Sequence, residues 1–129
     1  MNKQNQKPDK GKAYRRRAII LRRFGFKNYQ EYLNSDMWRK IRAKQLRMKP
    51  RCYACGDRAT QVHHGKYTFL NMFGHSMEYL FSVCRDCHSG AEFNESGAKV
   101  SARIATRKLK KAHYLRSRDE NGEADELSR

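Results

Sequence analysis

Residues 52–93 read CYACGDRATQVHHGKYTFLNMFGHSMEYLFSVCRDCHSGAEF and contain all four cysteines of the 129-residue chain. The cysteines form two Cys-x-x-Cys pairs, Cys52 with Cys55 and Cys84 with Cys87, and 28 residues separate the pairs. A Cys-x-x-Cys turn lets two thiolates reach one zinc ion, and a hairpin between the pairs would bring them together. The spacing therefore predicts a structural zinc site with four thiolate ligands. Unpaired buried thiols and a redox-active dithiol are the alternatives.

Three histidines lie within or directly beside this cysteine framework. His63 and His64 are adjacent at the end of a predicted strand, where neighbouring side chains point to opposite sides. We therefore expect one imidazole to bind a metal ion and the other to act on water. His88 follows the last cysteine, and Glu92 lies one helical turn later on the same face, so both are candidate ligands of a second ion. A histidine pair without a catalytic role and a solvated glutamate are the alternatives.

Short helices and strands are predicted around these residues. Ser35, three residues before Trp38, is a candidate N-cap for a helix over about residues 36–47. The remaining pattern predicts a basic helix over 13–24, strands over 59–63 and 80–83, a loop over 65–77, a helix from 88 to about 93 and a basic helix over 99–116. The acidic tail from residue 117 is expected to be disordered.

The charge of the chain indicates a polyanionic partner. The 29 Lys and Arg exceed the 13 Asp and Glu to give +16, with +19 on residues 1–116 and −3 on residues 117–129. Nucleic acid is the commonest partner of such a surface, although charge does not distinguish DNA from RNA. A ribosome-bound protein and a merely solvated basic surface are the alternatives. The residues expected to neutralise phosphates are Arg15, Arg16, Arg17, Arg22, Arg23, Arg103, Arg107, Lys108, Lys110 and Lys111, together with Lys10 and Lys12.

The cysteine usage and the hydropathy bear on localisation. The first twelve residues are polar and basic, and the apolar stretches are too short to span a bilayer. All cysteines fall in the two pairs, a pattern more typical of metal binding in a reducing compartment than of disulfides in a secreted protein. We therefore expect a soluble, cytoplasmic protein with no membrane partner.

Several motifs in fixed order resemble the HNH endonucleases. They are Ser-x-x-Trp, Cys-x-x-Cys, Val-His-His-x-x-Tyr, Phe-Gly-His and Cys-x-x-Cys-His, at residues 35–38, 52–55, 62–67, 73–75 and 84–88. The resemblance covers about residues 29–93 and is best with the subgroup tied by zinc on four cysteines. It implies an α+β fold with a small ββα-metal (His-Me finger) core over residues 29–96. A basic N-terminal arm and helix (1–28) and a basic C-terminal helix (97–116) would flank this core.

The resemblance also implies roles for the candidate residues. His63 and His88 correspond to ligands of a catalytic divalent ion, Mg2+, Mn2+ or another transition metal, and Glu92 lies near a position where some members have a further ligand. His64 corresponds to the general base that activates water, and the implied reaction is hydrolysis of DNA phosphodiesters. At the position of the middle asparagine in the family name this chain has Tyr79. The candidates for orienting the base in its place are Asn71, Glu78 and a backbone carbonyl.

Two other classes of function are compatible with the same residues. A catalytically silent zinc-ribbon module that binds DNA or RNA needs the cysteines and the basic surface but not the clustered histidines. A thiol redox protein needs only the cysteines. Because no recognition module is evident beyond the core, an endonuclease of this kind is expected to nick or to cut with weak specificity, as a monomer or a homodimer.

Overall fold

The computed structural model describes residues 10–127 and, within them, the side chains of residues 11–120. Residues 1–9 of the predicted basic arm and residues 128 and 129 of the predicted tail lie outside the described residues. Within the described part the chain forms a small mixed α/β structure. Its elements are α1 (Lys10–Arg23), α2 (Tyr29–Leu33), α3 (Asp36–Met48), β1 (Gln61–His64), α4 (Phe69–Phe73), β2 (Leu80–Val83), α5 (Arg85–Glu92) and α6 (Ala102–Leu127).

The two strands form an antiparallel pair that carries the histidines. His63 lies opposite Phe81 and His64 opposite Leu80. The second strand was predicted with these bounds, and the first begins at Gln61, two residues later than predicted. Beyond the paired residues, the N–H of Thr60 donates to the carbonyl of Val83 at 3.0 Å and extends the pairing towards the cysteines.

The connection between the strands contains a short helix, α4, where the sequence predicts a loop. A capping box begins it, because the Thr68 hydroxyl accepts from the N–H of Asn71 at 3.2 Å and the Asn71 side chain accepts from the N–H of Thr68 at 2.9 Å. Gly74 ends the helix in the left-handed region, with φ 88°. A five-residue helix is too short to have a clear hydrophobic period, so only its capping residues identify it.

We expect Gly74→Ala to destabilise the fold more than Gly25→Ala. Both glycines have φ near +87° (88° and 86°), where an L side chain costs about 1–2 kcal/mol. A Cβ at Gly74 would also lie 2.9 Å from Cγ1 of the buried Ile41, whereas a Cβ at Gly25 meets nothing within 4 Å. Crowding of this kind adds about 1–3 kcal/mol. Chemical denaturation of the two variants measures the difference, and equal losses would contradict it.

The first hydrophobic core packs α1, α2 and α3 against β1 and α4. Tyr32 and Met72 are fully buried, and the Tyr32 hydroxyl donates to the Met72 carbonyl at 2.7 Å. Trp38 enters this core from α3, whose predicted N-cap is confirmed because the Ser35 hydroxyl accepts from the N–H of Trp38 at 3.1 Å. The buried members of this core are Ile20, Leu21, Tyr32, Trp38, Ile41, Val62, Met72 and Leu80.

A second core joins the first cysteine turn, β2, α5 and α6. Leu109 and Ala105 of α6 are buried against Val83 and Ala91. This helix ends at Leu127, so residues 117–127 continue it where the sequence predicts a disordered acidic tail. The local reason is visible at the boundary, because Arg116 and Glu120 form an ion pair of 3.1 Å one turn apart.

Polar contacts fasten α6 to the first cysteine turn. The His113 ring stacks on Tyr53, with centroids 4.1 Å apart, and its Nδ1 lies 2.9 Å from the Tyr53 carbonyl. Arg116 donates from Nε to the Ala54 carbonyl at 3.2 Å. The position of α6 is therefore coupled to the conformation of the turn between Cys52 and Cys55.

Candidate metal centres

The four cysteines form one cluster at metal-binding distance. Cys52 and Cys55 lie on the turn before β1, while Cys84 caps the N-terminus of α5 and Cys87 lies in its first turn. Their sulfurs all lie within 4.8 Å of one another, and Cys55 Sγ is 3.8 Å from Cys84 Sγ. Thiolates about 2.3 Å from a tetrahedral zinc ion lie about 3.8 Å apart. The four thiolate donors and their spacing fit zinc, as predicted. The two-stranded sheet, the helices and this cysteine cluster together are compatible with a zinc-knotted α+β fold.

The pKa values of the thiols indicate that the four sulfurs would not all ionise readily without a bound cation. Burial acts to raise the pKa of Cys52, but backbone hydrogen bonds at Cys55, Cys84 and Ala54 outweigh it and lower that pKa to about 7. Burial, followed by hydrogen bonds with Cys84 and Cys55, raises the pKa of Cys87. One thiolate therefore forms readily and opposes ionisation of the others. A divalent ion removes this conflict because it stabilises all four charges together.

A second group brings together His63, His88 and Glu92. Candidate ligand atoms of these three residues lie within 4.8 Å of one another, and the two imidazole centroids are 5.4 Å apart. Glu92 is not the solvated residue that was the alternative, because its side chain is only 29% exposed and its Oε1 lies 2.9 Å from His88 Nε2. Two atoms each about 2.1 Å from one ion, at right angles about it, lie about 3.0 Å apart. The group therefore has the composition and spacing of a divalent-ion site.

Hydrogen bonds to the far side of each ring determine which nitrogen can bind metal. The Thr106 hydroxyl donates to the Ala102 carbonyl at 2.7 Å, so His63 Nε2, at 2.8 Å from that hydroxyl, must be the donor. The amide oxygen of Gln61 lies 2.7 Å from His88 Nδ1 and carries no hydrogen, so Nδ1 donates there. The free lone pairs are then Nδ1 of His63 and Nε2 of His88. Partners of this kind orient metal-binding histidines.

The contact between His88 and Glu92 is compatible with a bound cation. Burial lowers the pKa of His88, against the opposing effect of the Glu92 charge, so the ring is neutral at pH 7. A neutral imidazole has one N–H, and Gln61 accepts it. The lone pair of Nε2 then faces a carboxylate oxygen, an arrangement that a cation between the two would stabilise.

His64 lies apart from these ligand atoms in an aromatic enclosure. Its ring centroid is 4.5 Å from that of Trp38 and 5.7 Å from that of Tyr67, and the residue is only 4% exposed. The Tyr29 hydroxyl is 2.9 Å from His64 Nδ1, whereas His64 Nε2 is buried with no hydrogen-bond partner among the described residues. Burial, followed by the charges of His63, Arg17 and His88, lowers the pKa of His64 to about 3. His64 is therefore a neutral base at pH 7, with one nitrogen unused.

One cavity joins His64 to the second metal group. Its volume is about 340 Å³, and His63, His64, His88 and Glu92 all line it, although the two adjacent histidines come from successive positions of β1. Burial, followed by the charge of His88, lowers the pKa of His63 to about 4, so this imidazole is also neutral at pH 7. The cavity is thus lined by the neutral imidazoles of His63 and His88, by Glu92 and by the buried base His64.

The three groups suggested to orient His64 in place of the middle asparagine make other contacts or are exposed. Asn71 is buried at the start of α4, where its side chain bonds to Thr68 and to the Lys66 carbonyl. Glu78 is exposed, and the Tyr79 carbonyl accepts from the N–H of Gly65 at 2.7 Å. The group on His64 Nδ1 is instead Tyr29. Tyr29, Thr106 and Gln61 were not identified from the sequence, since each acts over 27 to 43 residues of separation.

The basic residues predicted to bind phosphates lie on α1 and α6. Most are exposed, but Arg17 is half-buried, with its guanidinium carbon 4.0 Å from the Tyr29 centroid, 4.6 Å from that of Tyr14 and 5.0 Å from that of Tyr67. Lys108 is also half-buried and donates to the Phe93 carbonyl at 3.1 Å. The exposed members are Lys12, Arg15, Arg16, Arg22, Arg23, Arg103, Arg107, Lys110 and Lys111, and the side chain of Lys10 lies outside the described residues.

Comparisons of the chain with protein-family models, with curated proteins and with solved structures gave no match. Across residues 10–127, no helix is both long and apolar enough to cross a membrane. Inference about function therefore depends on the two metal-binding groups and on the cavity that joins the second of them to His64.

Proposed function

We propose that this protein is a metal-dependent DNA endonuclease of the HNH type. The observation that carries the proposal is the cavity that His64 lines together with His63, His88 and Glu92, since Nε2 of His64 is buried without a hydrogen-bond partner among the described residues. A base and a divalent-ion site within one cavity are the requirements for hydrolysis of a phosphodiester by an activated water. The succession of β1, β2 and α5, with zinc ligands at the start of α5, supports a ββα-metal core.

The residues of the cavity divide the chemistry among them. His63 Nδ1, His88 Nε2 and a Glu92 oxygen would hold the catalytic divalent ion, which supplies Lewis-acid polarisation of the scissile phosphate. His64 Nε2 removes a proton from the attacking water, whose oxygen bonds to phosphorus as the bond to the leaving 3′-oxygen breaks. Although burial disfavours the resulting imidazolium, the negative charge of a phosphate in the cavity would stabilise it.

Tyr29 is the positioning residue for His64 in this proposal. If His64 Nδ1–H donates to the Tyr29 oxygen at 2.9 Å, His64 Nε2 retains the lone pair that a general base needs. Tyr29 belongs to α2 and is stacked at 6.0 Å on the fully buried Tyr32, so the hydroxyl is held by the first core. Tyr29 would thus perform the orienting function that the asparagine performs in the family this chain resembles.

A nucleic acid is the proposed substrate because of the surface around the cavity, and the resemblance to HNH endonucleases favours DNA. The net charge of +16 and the exposed arginines and lysines on α1 and α6 favour a polyanion. Contacts from such side chains to phosphates give affinity with little sequence information. We therefore expect nicking or weakly specific cutting.

A plasmid-nicking assay tests the proposed function. The zinc-loaded protein is incubated with supercoiled DNA and Mg2+ or Mn2+, and parallel samples contain EDTA. Conversion to open-circle or linear DNA only with the added ion is the expected result. Binding of DNA without cutting in the presence of any of Mg2+, Mn2+, Co2+ or Ni2+ would instead support the silent zinc-ribbon module.

We expect Glu92→Gln to weaken binding of Mn2+ without loss of zinc. The amide is a poorer ligand than the carboxylate for a hard cation, so the affinity should fall roughly tenfold or more. Glu95→Gln is the matched control, since Glu95 is an exposed glutamate three residues away. Calorimetric titration with Mn2+ measures the affinity, and elemental analysis should give one zinc per chain for both variants. Equal affinities would exclude Glu92 as a ligand.

A further inference from the structure

A second cavity adjoins the catalytic one and has a different composition. Its volume is about 470 Å³, and it lies between α1, the segment that follows β1 and the beginning of α6. Tyr14, Tyr67 and Ala102 line both cavities, so the two share a wall. The Arg17 guanidinium stacks on Tyr14 and Tyr67, which keeps that wall in place.

Four cations line this second cavity, and no carboxylate does. They are Lys12, Arg16, Lys66 and Arg103, and all four are exposed. Within residues 11–120 none of them forms an ion pair. The Lys66 ammonium lies 4.6 Å from the Tyr79 ring centroid, a contact that leaves its charge uncompensated. A concave surface with four unpaired cations concentrates anions more strongly than a flat one.

Gly65 and Thr68 line the second cavity together with Lys66 and Tyr67. Gly65 itself has no room for a side chain, since a Cβ there would lie 2.8 Å from the Phe81 ring. A glycine is therefore required at this position of the lining.

We propose that this second cavity, defined by Lys12, Arg16, Lys66 and Arg103, is a groove that binds the DNA backbone immediately to one side of the scissile phosphate. The inference rests on the proposed function, under which the phosphodiester is cut in the first cavity. The wall that the two cavities share is the reason for placing the groove next to that cavity. Contacts to phosphates here would hold the strand beside the catalytic cavity, because the two cavities share a wall. The groove therefore orients the strand without reading its bases.

Binding in EDTA separates this proposal from catalysis. The affinity of a fluorescein-labelled duplex is measured by anisotropy, at several salt concentrations, for Lys66→Gln/Arg103→Gln and for the control Lys40→Gln/Lys44→Gln. The control removes the same charge from exposed positions of α3 outside both cavities. Loss of two phosphate contacts should weaken binding roughly tenfold or more at 0.1 M salt and reduce the salt slope by about 1.8. The control should change both quantities less.

Neutral methylphosphonate linkages then locate the groove on the substrate. With the wild-type protein, neutralising one to three consecutive linkages beside the cleaved bond should weaken binding. With Lys66→Gln/Arg103→Gln, neutralising these linkages should no longer weaken DNA binding. With the control Lys40→Gln/Lys44→Gln, neutralising them should still weaken DNA binding. Lys12→Gln/Arg16→Gln provides a second groove pair on a different element. The proposal is overturned if both groove variants bind DNA with the affinity of the control variant. It is also overturned if the linkages whose neutralisation weakens binding are scattered along the duplex rather than beside the cleaved bond. An absence of cutting by the wild-type protein would count against the endonuclease alone.

Discussion

Replacing His64 with alanine should lower the rate of plasmid nicking by roughly 10²–10⁴-fold, the usual contribution of a general base. The imidazole is the group in the cavity with an unused buried nitrogen, and burial keeps it neutral at pH 7. Alanine removes the proton acceptor but leaves His63, His88 and Glu92 in place. Affinity for Mn2+ and for DNA should therefore change little, so the loss should appear in kcat rather than in KM.

Two further measurements separate catalysis from folding. His64 is buried, so its loss also leaves a cavity, and His64→Gln fills that space with a side chain that cannot take a proton at neutral pH. Free imidazole should restore part of the activity of His64→Ala, because the vacated volume adjoins the substrate cavity. His75→Ala is the histidine control: His75 is exposed and stacked on Phe73 at 4.7 Å, and its loss should leave nicking unchanged. Full activity in both His64 variants would eliminate this residue as the base.

Tyr29→Phe should give a smaller loss than either His64 variant. The phenylalanine retains the ring packing on Tyr32 and Tyr67 but removes the hydroxyl that contacts His64 Nδ1. Loss of one hydrogen bond of about 1 kcal/mol corresponds to roughly fivefold in rate. The readout is kcat at saturating DNA with the melting temperature measured in parallel. A large fall in melting temperature with unchanged kcat would indicate a structural role only.

Residue type and spacing were enough to predict the parts of the site that follow local rules. The Cys-x-x-Cys turns meet because the hairpin between them returns the chain, and the pairing of β1 with β2 is that hairpin. His88 and Glu92 share a face because four residues make about one helical turn. Their approach to His63 was a hypothesis from the closeness of the three histidines to the cysteines, and the resemblance implied it too. Local rules did not establish it, since the orientation of a strand relative to a helix depends on tertiary packing.

The residues that complete the site could not be predicted in the same way. Tyr29, Gln61 and Thr106 are common residue types that act through side-chain contacts with partners distant in sequence. Nothing in their sequence neighbourhoods distinguishes them from the other tyrosines, glutamines and threonines of the chain. The helix α4 is a different case, because Thr68, Asn71 and Gly74 form a local capping pattern that the sequence contains. The boundary of α6 was likewise placed too early, since the acidic composition after Arg116 also supports ion pairs within a helix.

Removing zinc should abolish cooperative folding of the half of the chain built around the second core. Binding of structural zinc contributes about 10–16 kcal/mol in small zinc-dependent domains, whereas domain stability is typically about 5–15 kcal/mol. Cys52 is 1% exposed, and its turn is fastened to α6 by His113 and Arg116. Without the ion, burial raises the pKa of Cys87, so this sulfur stays a neutral thiol at pH 7 and nothing holds the four sulfurs together.

Hydrogen exchange after chelation under reducing conditions measures this loss by region. Backbone protection should disappear over residues 50–59 and 84–113, whereas α1 and α3 should keep more of it because Tyr32, Trp38 and Met72 form a separate core. Cys55→Ser should show the same regional loss of protection at zinc concentrations that still protect the wild type, because removing one ligand weakens zinc binding. His88→Ala is the contrasting variant, since it removes a ligand of the second group and should leave protection intact in the presence of zinc. Unchanged protection after chelation would mean that the four sulfurs, although all within 4.8 Å of one another, hold no ion on which the fold depends.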